Sequence, residues 1–125
     1  MAFASTLGGT QQVIVAGSFD DDCSTVRGTG FSVAVSSGVF TITLDRKYDG
    51  LIACTATVMN ATSATGESLI AALKSHSVSD GTAGGTIVIE TIDDTGNIES
   101  TPTSGTEVHF CAILTADLNA DGDRA

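Results

Sequence analysis

Phe31-Ser-Val-Ala-Val-Ser-Ser-Gly-Val-Phe-Thr-Ile-Thr-Leu44 decides the fold. Phe31, Val33 and Val35 alternate with Ser32 and Ala34; beyond Ser36-Ser37-Gly38, Phe40, Ile42 and Leu44 alternate with Thr41 and Thr43. A period of two places every large apolar side chain on one face of an extended strand, whereas a helix would scatter the same residues around its axis. Two such runs across a short Ser/Gly turn form a β-hairpin with one buried face.

Toward the C-terminus, residues 45–50 make a charged turn, and Leu51–Met59 resumes with apolar or small residues on both faces, the pattern of a strand covered by a neighbour. Gly66–Val78 is mixed: Leu69, Ile70 and Leu73 fit helical spacing, while Ser75, Ser77 and the flanking glycines favour a strand, which is the expected outcome. Thr86–Ile92 follows a glycine-rich turn, Asp93-Asp94-Thr95-Gly96 turns the chain again before a short stretch at Asn97–Ser100, and Thr106–Thr115 is the last strand. In it Val108, Phe110, Ala112 and Leu114 share one face, and His109, Cys111 and Ile113 the other. Toward the N-terminus, Gln11–Ser18 is the first strand of the core, through Val13, Ile14 and Val15, closed by the turn-prone run ending in Asp20-Asp21-Asp22.

These elements predict an all-β chain: a single-domain antiparallel β-sandwich or jelly roll of about seven to eight strands. Residues 1–10 form an extended N-terminal arm whose large apolar residues are Phe3 and Leu7, residues 11–116 the sandwich, and residues 117–125 an acidic C-terminal tail. A chain of 125 residues supports one core. With 14 glycines that core is modest, and association with further copies would extend it; apolar residues on second faces, such as Leu51, Ala53 and Ile113, are the expected contacts.

Fifteen acidic against five basic residues give a net charge of −10, which repels phosphate backbones and anionic lipid; neither nucleic acid nor membrane is an expected partner. The N-terminal residues lack the basic start and apolar centre of a secretion signal, so the expected place of synthesis is a cytoplasm. Cys23, Cys54 and Cys111 are odd in number and widely spaced, fitting neither a disulfide framework nor a zinc site, and free thiols are expected.

No catalytic constellation emerges. His76 and His109 are the two possible imidazole bases, neither in a recognisable frame, and Gly66-Glu67-Ser68 lacks the second glycine of a nucleophile elbow. Gly28-Thr29-Gly30 runs into strand residues with no following Lys-Ser/Thr, so no phosphate cradle forms. Five Phe, one Tyr and no Trp supply a sugar-stacking groove poorly. The tail Asp117–Asp123 has the oxygen spacing of the first half of a calcium loop but ends before the bidentate Glu; a solvated acidic tail is the plainer reading. No enzyme activity, cofactor or metal is therefore expected. Arg46, Lys47 and Tyr48, a basic and aromatic group on an acidic chain, are candidate contact residues beside Phe3, Leu7, His109 and Ile113; an ordinary charged turn is the competing account.

The run from Phe31 through Gly38-Val-Phe-Thr-Ile-Thr-Leu44-Asp-Arg-Lys-Tyr48 and Leu51-Ile-Ala-Cys-Thr-Ala-Thr57 resembles a group of small tailed-bacteriophage virion proteins with tumour-necrosis-factor-like jelly rolls. Gly85-Thr-Ile-Val-Ile-Glu-Thr91 and Glu107-Val-His-Phe-Cys-Ala-Ile-Leu114 agree in character, so the resemblance spans residues 28–115. It implies a capsid decoration or cement protein: a homotrimer on the outside of an icosahedral head, made in the bacterial cytoplasm, whose partners are itself and the major capsid protein. A receptor-binding or fibre-tip module is the alternative, since jelly-roll trimers also serve there; a hydrolase on a β scaffold is a third class that fold alone never excludes.

Overall fold

The computed structural model describes residues 2–4, 10–61, 69–79 and 84–117. Within them lie nine strands: β1 (Ala2–Ala4), β2 (Thr10–Asp20), β3 (Val26–Gly28), β4 (Phe31–Ser36), β5 (Val39–Leu44), β6 (Gly50–Met59), β7 (Ile70–Ser77), β8 (Thr86–Ile92) and β9 (Glu107–Asp117). All pairings are antiparallel and fall into two sheets, the expected β-sandwich. One runs β1-β2-β9-β6 with β3 also on β2; the other runs β4-β5-β8-β7.

The opening hairpin is as its alternation predicts. β4 pairs with β5 from Phe31↔Leu44 to Ser36↔Val39, and the two turn residues Ser37 and Gly38 both have positive φ, 51° and 77°. That is the geometry whose twist matches the strands it joins. Gly38 is required there twice over: its φ favours glycine, and a Cβ would run into the Glu99 carbonyl oxygen. The chain then passes between sheets repeatedly, β5 to β6, β6 to β7 and β8 to β9. The pairs β2·β9 and β5·β8 act as two halves of one long ribbon folded over itself, with β6 and β7 laid along its β9 and β8 side. This is how a jelly roll is wound.

Between the sheets Phe19, Val108, Phe110, Ala112 and Leu114 of the first meet Phe40, Ile42, Leu44, Ile87 and Ile89 of the second, all buried. Phe19 packs on Phe40 with ring centroids 5.0 Å apart, and Phe31 meets Phe110 edge-to-face at 4.9 Å. Such arrangements use the ring quadrupole in addition to apolar burial.

Gly66–Val78 resolves toward the strand reading over Ile70–Ser77; residues 62–68 lie outside the described residues. The helix-like spacing of Leu69, Ile70 and Leu73 has a different cause. Leu69 is buried before the strand begins, while Ile70 and Leu73 lie exposed on an edge strand whose register shifts between Leu73 and Ser75. A similar shift between Leu51 and Ala53 turns Leu51 toward the core and leaves Ile52 exposed, so Leu51 does not stand on the second face as its spacing predicts. The first core strand runs two residues past its predicted end, to Asp20, because Phe19 is needed in the core.

Candidate functional site

The outward face of the five-stranded sheet is built by register. Gln12, Ile14, Ala16 and Ser18 alternate with the core residues of β2; on β9 the outward set is Glu107, His109, Cys111, Ile113 and Thr115. Ile14 stands opposite Ile113, which stands opposite Ala53 of β6. In the next row Ala16, Cys111 and Thr55 align, and in the third Ser18, His109 and Thr57, with Arg27 of β3 beyond Ser18. The first two rows carry no charge. The other sheet carries charge outside: Glu90, opposite Val39 of β5 and Ala72 of β7, meets Lys74 at 4.0 Å, and Thr43 pairs with Thr86 farther along.

Of the expected contacts, Ala53 and Ile113 are therefore direct neighbours on one outward face, joined by Ile14, which sequence reasoning took only as part of a strand. The signal was present: Val13-Ile14-Val15 puts apolar residues on both faces at once.

Among the described residues, this side of the molecule also holds the two sheet edges that pair with no further strand. β6 ends one sheet and β7 the other, and they lie on the same side of the sandwich. Four large apolar residues are exposed on them: Ile52 (52%) and Met59 on β6, Ile70 (61%) and Leu73 on β7. Across Gly50–Met59 no charged residue or proline guards the edge, whereas exposed edges are usually blunted by such residues.

His109 lies on the outward face, half exposed, with Nε2 3.0 Å from Glu107 Oε1. Shallow grooves of about 390 Å³ and 180 Å³ flank it, neither enclosing a ligand as a reaction cavity would. Arg46 and Lys47 are exposed at the β5–β6 turn, but Tyr48 is 5% exposed and belongs to the core, its backbone N–H donating to the Val78 carbonyl at 3.1 Å. An aromatic ring so buried offers nothing to a partner; burial also pushes its phenol pKa up. That turn is tied to the Thr115 end of β9 through Asp49 N–H, about 20 Å along the strand from His109, so the two candidate groups do not meet. Phe3 lies in β1, its backbone opposite Gln12; Leu7 lies outside the described residues, as does the tail beyond Asp117.

The carboxylates of Asp20, Asp21 and Asp22 bring oxygens within 4.8 Å of one another. Each also fastens the β2–β3 turn: Asp20 accepts from Thr25 N–H (3.0 Å) and Ser24 Oγ (2.8 Å), Asp21 from Gly105 N–H, Asp22 from Ser24 N–H. The Thr25 amide holds the Asp20 carboxyl below its usual pKa. In the same turn burial, helped by the charges of these three acids, pushes the Cys23 thiol up to about 11. Burial raises Cys54 as well, with Cys111 adding to it. All three cysteines are free.

No family model, curated protein or solved structure matches the chain.

Proposed function

We propose that this chain is a structural virion protein, a capsid decoration protein that sits as a homotrimer on the outside of an icosahedral phage head and stabilises it by binding the major capsid protein. The observation that carries this reading is the uncharged outward face of Ile14, Ala16, Ala53, Cys111 and Ile113, continuous with the unguarded β6 edge. Two copies that each carry −10 repel wherever their acids meet, so they associate where charge is missing. A closed ring of copies then presents several weak contacts to a shell at once, and effective concentration makes the attachment tight. The acidic remainder keeps such a protein off packaged nucleic acid. The resemblance of residues 28–115 to phage decoration proteins supports the same reading.

Quantitative mass spectrometry of purified particles against the major capsid protein tests it. About one copy per capsid subunit is expected. A few copies per particle would move the chain to a tail or fibre tip, and its absence from particles would overturn the virion reading.

A further inference from the structure

The two edge strands β6 and β7 leave the sandwich open on their side. Leu73 of β7 is opposite Ile89 and His76 opposite Ile87, so both stand in the core-facing register of their sheet. Ile87 and Ile89 are fully buried, yet Leu73 is 42% exposed and His76 is exposed as well. On the facing edge Cys54, Ala56 and Val58 of β6 share the core-facing register of β9 and are half-buried. Ile52, Met59 and Ile70 extend the same uncovered side. Neither β6 nor β7 contains an acid, in a chain that has 15.

This side adjoins the uncharged outward face, because β6 belongs to both. Ala53 stands in the row of Ile14 and Ile113, and Ile52 before it lies exposed on the edge. Each chain therefore carries two different apolar surfaces side by side. A two-fold contact uses the same patch on both copies and would leave the other patch in water. A head-to-tail contact lays one patch on the other and, in a closed ring, covers both on every copy. Charge selects a second copy as the occupant: chains that each carry −10 meet at least cost where acids are missing, and Lys74, the charge on β7, is opposite in sign to the chain as a whole. We propose that the β6–β7 side of one copy seats on the outward face of the next at Ile14, Ala53 and Ile113, in a head-to-tail contact that closes into a ring. This rests on the self-association in the proposed function and names the two surfaces that make it.

Sedimentation equilibrium of the full chain tests the contact, with Ile52→Lys altering the edge and Ile113→Lys the face. Ile70→Lys replaces the first should Ile52→Lys fail to fold. Each variant alone should weaken association at least about tenfold, because it leaves an unpaired charge in an apolar contact. An equimolar mixture of Ile52→Lys and Ile113→Lys should recover a species of two chains and none larger. In it the intact edge of the face variant meets the intact face of the edge variant, and the two surfaces left over both carry lysine. Val26→Lys, on β3 at the far edge of the same sheet, should leave the mass unchanged. Edge variants that assemble like wild type, or a mixture of folded variants that stays monomeric, would overturn the head-to-tail contact and leave self-association standing. A wild-type chain that is monomeric at every concentration would overturn self-association and the contact with it. A chain that forms the ring but is missing from particles refutes the virion reading alone.

Discussion

Thr91 and Gly38 show how single residues tie the β4–β5 turn and the chain at Glu99 to the end of β8. Thr91 is fully buried, and its hydroxyl lies 3.2 Å from the Gly38 carbonyl and 3.3 Å from that of Glu99. Thr91→Val keeps the shape and removes the donor, so it should cost about 1–3 kcal/mol in urea denaturation. Gly38→Ala should cost at least as much, because it adds backbone strain at φ 77° to a collision with Glu99. A midpoint unchanged in both variants would show that this junction does not support the fold. Cys23 gives a chemical prediction at the same scale. A thiol whose pKa is about 11 is ionised to roughly one part in a thousand at pH 8, and the thiolate is the nucleophile. Site-resolved mass spectrometry should find Cys23 alkylated by iodoacetamide far more slowly than a cysteine in an unfolded peptide, with a rate that climbs steadily past pH 9. A rate equal to the peptide's would mean the acidic turn does not enclose the sulfur.

At the scale of the element, β9 carries two faces with different duties. Leu114 is fully buried between the sheets, and its neighbour Ile113 looks outward between Ile14 and Ala53. Leu114→Ala should cost about 2–5 kcal/mol, since it removes packed methyl groups and leaves a cavity. The proposed self-association through this face predicts that Ile113→Lys leaves thermal stability close to wild type and lowers the mass measured in sedimentation equilibrium. Destabilisation by Ile113→Lys with association intact would reverse the assignment of faces. The division was visible in the sequence, because a period of two sorts residues into faces without reference to the rest of the chain. The β4–β5 hairpin was visible for the same reason. Which second faces stay uncovered was not visible, because exposure depends on strand order, and strand order is set by long-range pairing. Leu51 and Tyr48 show the limit: a register shift turned the first inward, and the second, in a charged turn, folds back onto Val78. Arg27 comes into the row of Ser18 and His109 only through the pairing of β2 with both β3 and β9, which no local pattern of the sequence carries.

The whole molecule answers to pH through its acids, and two effects oppose each other. The Asp20 carboxyl is held low chiefly by the Thr25 amide, and that of Asp93 chiefly by the Thr95 hydroxyl, at 2.7 Å. A carboxyl whose folded pKa lies below its unfolded value of about 3.9 contributes stability that is complete above that value. The contribution is lost as pH falls through the folded pKa, so the loss belongs below about pH 4. Over the same range the net charge of −10 is being neutralised, with an isoelectric point near 4.1, and mutual repulsion between copies disappears. Acidification should therefore promote association as pH 4 is approached, and then loosen the β2–β3 and Asp93 turns below it. Urea midpoints at pH 3 and pH 7 separate the two effects when measured on wild type and Asp20→Asn at one protein concentration. The asparagine keeps an oxygen for the Thr25 amide but has no charge to lose. Its midpoint should lie below wild type at pH 7 and fall less between the two pH values. An identical fall in both proteins would show that Asp20 is no better solvated by its turn than by water, and would leave the acid response to the charge of the molecule as a whole.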